Sequence, residues 1–209
     1  MHKYRKFWNK AAKNYDTQVN KKYAKTNRDT IELSRKYLNS NQTVLDFACG
    51  TGIITIELAK NVKKMYAIDI SEKMIEIARK KMINNRIDNL EFEVSNIFDP
   101  KLNGMEVNVL LAFNILYFLE DIDRALNRIS ELLPSGGLFI SATDCLGERK
   151  SLKENLLSFF LSKLGTIPLI KKYKTLELKN IIKSHGFKIV ETKNLYHNPP
   201  NYFIVAKKQ

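Results

Sequence analysis

The segment 44–52, which reads Val-Leu-Asp-Phe-Ala-Cys-Gly-Thr-Gly, constrains the fold of this chain more than any other. A short apolar run ends in an acid, a tight turn of small residues follows, and an amphipathic segment begins at Ile53. This order predicts a buried strand, a glycine loop and the start of a helix. Glycines in such a loop let the backbone approach a ligand where a Cβ would collide. The loop is expected at the carboxyl end of its strand, where open α/β sheets bind their ligands.

The same segment excludes two common phosphate-binding loops. Gly50 and Gly52 are not followed by Gly-Lys-Ser/Thr, so the loop is not a Walker A motif. Ala48 stands where a dinucleotide motif would begin with glycine, and no third glycine follows. A carboxylate at Asp46 would repel a pyrophosphate, so it suits a ligand that carries an ammonium group instead.

Strands and helices alternate on either side of this loop and downstream of it. Strands are predicted at 43–47, 64–69, 90–94, 107–113 and 138–143, with helices at 52–60, 71–84 and 121–132. Such alternation implies a parallel sheet with right-handed crossovers. Further helices are predicted at 3–15, 22–38, 147–165 and 174–185, and the last of them precedes two strands, 187–194 and 201–206, joined by a turn.

The segment 44–52 resembles the first motif of class I S-adenosylmethionine-dependent methyltransferases, and the core is similar to the ubiquinone and menaquinone biosynthesis-like group. A second motif follows, in which a strand ends at Asp69 and Ser71 is predicted to cap the next helix. The resemblance is strong over 43–144 and extends to 174–207 in layout. It implies an α/β fold: a three-layer Rossmann-like methyltransferase sheet with helices on both faces, mostly parallel with a C-terminal antiparallel hairpin strand.

The resemblance also implies S-adenosylmethionine as the cofactor, with S-adenosylhomocysteine as its product. Asp46 would then lie near the methionine ammonium, Gly50 and Gly52 would let the cofactor approach the backbone, and Asp69 would accept hydrogen bonds from both ribose hydroxyls. Relatives usually carry an acid where this chain has Asn96, whose amide oxygen can still accept a bond from the adenine amino group. The other predicted cofactor-binding residues are Ala48, Cys49, Ile70, Met74, Ile97, Asn114 and Tyr15.

Two aromatic regions are candidates for the acceptor side. Tyr117 stands where small-molecule methyltransferases often carry histidine, and it is predicted to position the acceptor, with core packing as the alternative. A phenol is a poor base at neutral pH unless its pKa is lowered. The N-terminal helix resembles helices that close over the cofactor as a lid, which would bring Tyr15 to the methionine carboxylate or the acceptor.

These assignments divide a single methyltransferase domain, 1–209, into four parts. They are an N-terminal helical lid (1–40), a cofactor-binding core (41–144), a helical acceptor-region insert (145–173) and a last helix with a closing hairpin (174–209).

Composition bears mainly on partners and location. The formal net charge is +13, which invites a nucleic acid partner, although the lysines are scattered like those of solvated helix faces. No apolar run approaches the roughly 20 residues that span a bilayer, and no secretory signal is recognisable, so a cytoplasmic protein without a membrane span is expected. Two cysteines, Cys49 and Cys145, make no disulfide framework, and no cluster has metal-ligand spacing.

Three functions are therefore in competition. The first is methyl transfer from S-adenosylmethionine to a small molecule, with catalysis mainly by positioning. The second is methylation of RNA or DNA, suggested by the net charge of +13. The third is a non-catalytic relative that binds the cofactor, which the departures at Ala48, Asn96 and Tyr117 keep open. The identity of the acceptor, the methylated atom and the oligomeric state stay open.

Overall fold

A computed structural model describes residues 4–148 and 168–209. Its helices are α1 (Arg5–Ala11), α2 (Tyr15–Arg35), α3 (Thr55–Ala59), α4 (Glu72–Asn84), α5 (Ile122–Leu132) and α6 (Thr175–Ser184). Its strands are β1 (Thr43–Phe47), β2 (Lys64–Asp69), β3 (Leu90–Val94), β4 (Val109–Phe113), β5 (Leu138–Asp144), β6 (Phe187–His197) and β7 (Pro200–Lys208). Short 3₁₀ turns lie at Ala12–Asn14, Pro100–Leu102, Leu116–Phe118 and Leu146–Glu148.

In the described part of the chain, the strands form one seven-stranded sheet in the order β3-β2-β1-β4-β5-β7-β6. The five strands from β3 to β5 are parallel, whereas β7 runs antiparallel to both β5 and β6. The strand order reverses direction between β1 and β4, and such a switch point opens a crevice at the carboxyl ends of the strands. The predicted fold class is confirmed.

Alternating side chains in the central strands supply two apolar layers, one on each face of the sheet. On β4, Leu110 belongs to the layer that contacts α5 and α6, while Val109 and Leu111 belong to the layer beneath α3 and α4. On β7, Ile204 and Phe203 divide in the same way, and both are fully buried. This period-two division places helices on both faces, which defines the three layers.

The N-terminal helices differ from their predicted bounds. The sequence predicted helices at 3–15 and 22–38, but α1 ends at Ala11 and α2 runs without interruption from Tyr15 to Arg35. Residues 16–21 fall between the two predicted helices, yet they contain no glycine or proline to stop a helix, and Val19 lies four residues from both Tyr15 and Tyr23. Tyr15 therefore begins a long helix instead of ending a short one.

The other element bounds lie within about two residues of prediction, with three exceptions. The strand predicted at 187–194 runs three residues further, to His197. The predicted helix 52–60 is shorter, because its first residues form turns and α3 begins only at Thr55. The predicted helix 147–165 lies almost entirely outside the described residues. Within residues 4–148 and 168–209, no helix combines the length and the apolar character that crossing a membrane would require.

Candidate functional site

A cavity lies at the carboxyl ends of β1, β2, β4 and β5, and α2 forms its opposite wall. Ten of the residues predicted to bind the cofactor or the acceptor line it. They are Tyr15, Asp46, Ala48, Cys49, Gly50, Asp69, Ile70, Met74, Asn114 and Tyr117.

The loop after β1 depends on left-handed backbone at three positions. Ala48, Gly50 and Gly52 have φ angles of 61°, 56° and 76°. Such a φ costs a residue with a Cβ roughly 1–2 kcal/mol, and Ala48 bears this cost. A Cβ on Gly50 would lie 3.8 Å from Tyr15 Cε1, whereas one on Gly52 would lie 3.0 Å from Phe92 Cζ. Gly50 therefore borders the cavity, while Gly52 lets the loop pack against β3 and does not line the cavity.

Asp69 is held at the end of β2 by two backbone amides. The amide of Gly50 donates to Oδ2 at 3.0 Å, and the amide of Ser71 donates to Oδ1 at 2.8 Å. The side chain is almost buried, and this burial raises its pKa, which the two hydrogen bonds only partly oppose. The carboxylate is thus fixed in orientation beside the cavity, where its remaining lone pairs can accept hydrogen bonds from ligand hydroxyls.

Asp46 lies at the centre of the same wall, near the end of β1. The hydroxyl of Thr55 donates to its Oδ2 at 2.6 Å. Burial raises the pKa of Asp46 to about 7, and the nearby charge of Asp69 adds to the effect. A cationic ligand group beside this carboxyl would offset the cost of ionising it and lower its pKa.

One face of α2 forms the wall opposite these carboxylates. Tyr15, Val19, Tyr23 and Asn27 line the cavity at intervals of four residues, which is the spacing of one helix face. Burial raises the pKa of Tyr15 to about 12, with further contributions from Asp69 and Asp16, so this phenol stays protonated. Apart from Tyr15, sequence reasoning missed this face, although its four-residue spacing was a readable signal.

Two polar contacts near the cavity attach the N-terminal helices to residues 41–144. In the first, Asn9 of α1 contacts the start of α4: Ser71 Oγ donates to Asn9 Oδ1 at 2.6 Å, and Asn9 Nδ2 donates to Glu72 Oε2 at 2.8 Å. The predicted cap is confirmed, because Ser71 Oγ also accepts from the amide of Met74 at 3.2 Å. Asn9 therefore binds a helix terminus that is already capped, and it holds α1 there.

The second attachment joins α2 to the glycine loop. Thr51 Oγ1 donates to Asp16 Oδ1 at 2.5 Å, and Lys81 Nζ lies 2.5 Å from Asp16 Oδ2. Lys81 also donates to the backbone oxygen of Thr51 at 3.0 Å. The first turn of α2, the loop and α4 are thus joined through three residues, and α2 lies closed over the cavity.

At the far end of the cavity, the residue that follows β4, Asn114, and the last residue of β5, Asp144, are both polar. Asn201 Nδ2, from β7, donates to Asn114 Oδ1 at 2.9 Å and to Asp144 Oδ1 at 2.8 Å. Burial raises the pKa of Tyr117 well above its usual value, and the Asp144 carboxylate adds to this. The condition for Tyr117 to act as a base, a lowered pKa, is not met, so its phenol can only pack or hydrogen-bond.

Two predicted adenine contacts lie outside the cavity lining, as does Gly52. Asn96 Oδ1 accepts a hydrogen bond from the amide of Phe98 at 2.9 Å, which closes a local turn. Ile97 is fully buried in the core. The neighbouring Ser95 lines the cavity in their place, and neither it nor Asp144 was identified from the sequence. Among the described residues, no group of three or more His, Cys, Asp or Glu side chains is arranged to hold a metal ion.

The sequence and the fold of this chain are similar to those of known methyltransferases. The sequence matches the family described as "Methyltransferase domain" over residues 38–192. It is 34% identical over 118 residues to ribosomal protein L11 methyltransferase of Thermotoga maritima, which covers 53% of this chain and 43% of that protein. It is 32% identical over 99 residues to magnesium-protoporphyrin O-methyltransferase of Rhodobacter capsulatus, covering 47% and 44% of the two chains.

The fold comparison extends over nearly the whole chain. A DhpI–SAH complex superposes with a TM-score of 0.78 at 18% identity, covering 99% of this chain and 95% of the other. The chain spans less than half the length of the two curated relatives described above. Because the family match covers well over half of its residues, this chain belongs to the methyltransferase domain family, with the class I fold.

Proposed function

We propose that this protein transfers a methyl group from S-adenosylmethionine to a small-molecule acceptor. The observation that carries the proposal is the placement of Asp46 and Asp69 at the ends of two adjacent strands, facing one cavity on either side of the glycine loop. One carboxylate suits an ammonium group and the other suits a pair of hydroxyls, and the methionine and ribose portions of the cofactor carry these groups.

The proposed roles follow from the contacts of each residue. Asp69, fixed by the amides of Gly50 and Ser71, would accept the ribose hydroxyls. Asp46 would face the methionine ammonium, and Gly50 would let the cofactor approach the loop. Ile70, Met74 and Ser95 line the wall beside Asp69 and would face the adenine. Asn114 would lie along the methionine portion.

The bound cofactor supplies a methyl group that is already electrophilic because it is attached to a sulfonium. The chain's own residues then have to align the acceptor and exclude water. The closed position of α1 and α2 suits this task, since their attachments at Asn9 and Asp16 hold aromatic side chains over the cavity. Tyr117, as a neutral phenol, would position the acceptor.

The lining of the cavity supports a small acceptor over a nucleic acid. Asp46, Asp69 and Asp144 line it, and no lysine, arginine or histidine does so among the described residues. The positive charge of the described residues thus lies outside the cavity, and a phosphate group would meet these carboxylates inside. Because the net charge is +13, RNA or DNA is the second candidate acceptor. A protein acceptor also has to be tested, because one relative is named ribosomal protein L11 methyltransferase.

The cofactor assignment is tested by calorimetric titration with S-adenosylhomocysteine. Asp69→Ala should weaken binding by roughly 1.5–3 kcal/mol, because a charged acceptor of hydrogen bonds is lost. Asp88→Ala, in the exposed loop between α4 and β3, removes the same charge away from the cavity and should leave the affinity unchanged. Equal affinity of the Asp69 variant and the wild type would remove the proposed ribose site.

The acceptor class is tested with S-adenosylmethionine that carries a radiolabelled methyl group. A cell extract is divided by ultrafiltration into small molecules and macromolecules, and the label is followed in each fraction. Label in small molecules supports the proposal, whereas label that ribonuclease or deoxyribonuclease releases supports the second candidate. Label that protease releases would favour a protein acceptor. Cofactor binding without transfer to any fraction would indicate a non-catalytic relative.

A further inference from the structure

We propose that Asn27 of α2 binds the carboxylate of the cofactor's methionine portion through its side-chain amide. This inference rests on the proposed function and deepens it, because it gives the negatively charged end of S-adenosylmethionine a partner in a cavity whose described lining has no basic side chain. It is carried by a buried polar side chain that lines the cavity and has no partner in the described protein.

Asn27 lies on the face of α2 that forms one wall of the cavity. It is 7% exposed, and it follows Tyr15, Val19 and Tyr23 at the four-residue spacing of this face. In the part of the chain that the structure describes, its amide forms no hydrogen bond with another side chain or with the backbone. Because a buried amide without a partner is unfavourable, a ligand group in the cavity that supplies the missing hydrogen bond gains affinity.

The contacts of α2 show where along the cavity Asn27 lies. The first turn of the helix is bonded to the glycine loop at Asp16, and its last residue, Arg35, donates to the backbone of α3 at 3.4 Å. Asn27 lies between these contacts, about two turns before Arg35. Because α3 begins at Thr55, whose hydroxyl donates to Asp46, this stretch of α2 passes from the loop toward the end of the cavity wall that holds Asp46.

The charges of the cavity explain why a neutral amide would take this role. The methionine portion carries an ammonium and a carboxylate on the same carbon, and Asp46 suits the ammonium. Three carboxylates line the cavity and no lysine, arginine or histidine does so among the described lining residues, so the ligand carboxylate is left to neutral donors.

The cavity face of α2 supplies such donors. Asn27 has two N–H groups, and Tyr15 and Tyr23 each have a hydroxyl. Of these three side chains, only that of Asn27 belongs to a residue that is more than nine-tenths buried. Hydrogen bonds to a charged group are strongest where water is excluded, so Asn27 is expected to contribute the most.

The experiment uses two ligands that differ only in this carboxylate: S-adenosylhomocysteine and its decarboxylated form, which keeps the adenine, ribose, sulfur and amine. Calorimetric titration of the wild type should show that the decarboxylated form binds at least about tenfold more weakly, because a charge-assisted hydrogen bond is lost. Asn27→Ala should bind S-adenosylhomocysteine about ten- to hundredfold more weakly than the wild type. Its affinity for the decarboxylated form should stay within about threefold of the wild-type value, because that ligand has no carboxylate to lose its partner.

A second variant keeps the shape of the side chain. Asn27→Asp replaces the amide nitrogen with a carboxylate oxygen, so it should weaken S-adenosylhomocysteine further than Asn27→Ala does, while the decarboxylated form binds at least as tightly as to the wild type. Asn20→Ala, at an exposed position of the same helix, should change neither affinity. Retained binding of the decarboxylated form shows that each variant is folded.

Three results would overturn the inference. They are equal affinity of Asn27→Ala and the wild type for S-adenosylhomocysteine, equal loss of both ligands in the two Asn27 variants, and equal affinity of the wild type for both ligands. The first would leave water or the acceptor as the partner of the amide, and the second would give Asn27 a role in the fold or beside the ammonium. Each leaves the proposed function standing as long as the wild type binds S-adenosylhomocysteine. Failure of the wild type to bind it would instead contradict the proposed function itself.

Discussion

At the scale of single residues, the most consequential group is the carboxyl of Asp46. Burial raises its pKa to about 7, so it changes charge near neutral pH. In the free protein this pKa lies above the ordinary value of 3.8, so the folded state binds the proton more tightly than the unfolded state. The stability from this group is therefore lost as the pH rises from about 4 to about 7.

Ligand binding should have the opposite dependence on pH. If Asp46 faces the methionine ammonium, the ionised form binds, and affinity for S-adenosylhomocysteine should rise about tenfold from about pH 6 to about pH 8. Calorimetry at several pH values checks this. In Asp46→Asn the slope should disappear, whereas Asp88→Asn should keep it. A flat profile for the wild type would place the ammonium away from Asp46.

At the scale of elements, the docking of α1 and α2 decides whether the cavity is covered. α1 and the first turn of α2 contact the core through polar groups at Asn9 and Asp16 and through the edge-to-face contact of Trp8 with Phe118, whereas the C-terminal half of α2 is anchored in an apolar layer by the buried Leu33. A covering held by a few polar contacts can open at modest cost, which a ligand must do to enter and leave.

The variant Asn9→Ala tests this covering. It removes the hydrogen bonds to Ser71, Glu72 and Lys73, so α1 should detach more often. We expect affinity for S-adenosylhomocysteine to fall about three- to tenfold and limited proteolysis before α2 to become faster. Asn20→Ala is the matched control, since Asn20 is exposed within α2. Unchanged proteolysis and affinity in Asn9→Ala would show that this contact does not hold the covering.

At the scale of the whole molecule, β7 joins the end of the chain to its centre. It lies between β5 and β6, and its residues Phe203, Ile204, Val205 and Ala206 are fully buried in the two apolar layers. The same strand carries Asn201 to the end of the cavity. The closing hairpin is thus part of the core and of the candidate site at once.

Phe203→Ala measures this dependence. Removal of a buried ring should lower the free energy of unfolding by about 3–5 kcal/mol, a large part of a typical domain's 5–15 kcal/mol. Denaturant unfolding followed by circular dichroism gives the value. Val190→Ala, on the exposed edge strand β6, should change it by about 0.5 kcal/mol or less. Equal effects of the two variants would mean that the hairpin is not part of the cooperative core.

Local pattern was sufficient for the parallel core and for the residues that follow its strands. Asp46, Gly50, Asp69 and the cap at Ser71 could be identified because a strand, its loop and the next helix are adjacent in sequence. The order of strands and helices along the chain also predicts the topology of the parallel strands, because the connection between two parallel strands is nearly always right-handed. The fold class was therefore predictable, and so was most of the wall formed by β1 and β2.

The rest depended on contacts between residues that are far apart in the chain. Asn201 forms hydrogen bonds with Asp144 and Asn114, which lie 57 and 87 residues away in the sequence. Asn9 forms a hydrogen bond with Ser71, which lies 62 residues away. No local pattern encodes these meetings, because they require β7 to insert between β5 and β6 and α1 to dock on α4. Tertiary packing also decides that the side chain of Ile97 is buried in the core and that Ser95 lines the cavity. The sequence by itself determined the parallel core and the carboxylates near the ends of its strands. Only the tertiary structure decided how β7 inserts into the sheet, what covers the cavity and which charge lies at its far end, because these features depend on contacts between residues that are distant in the chain.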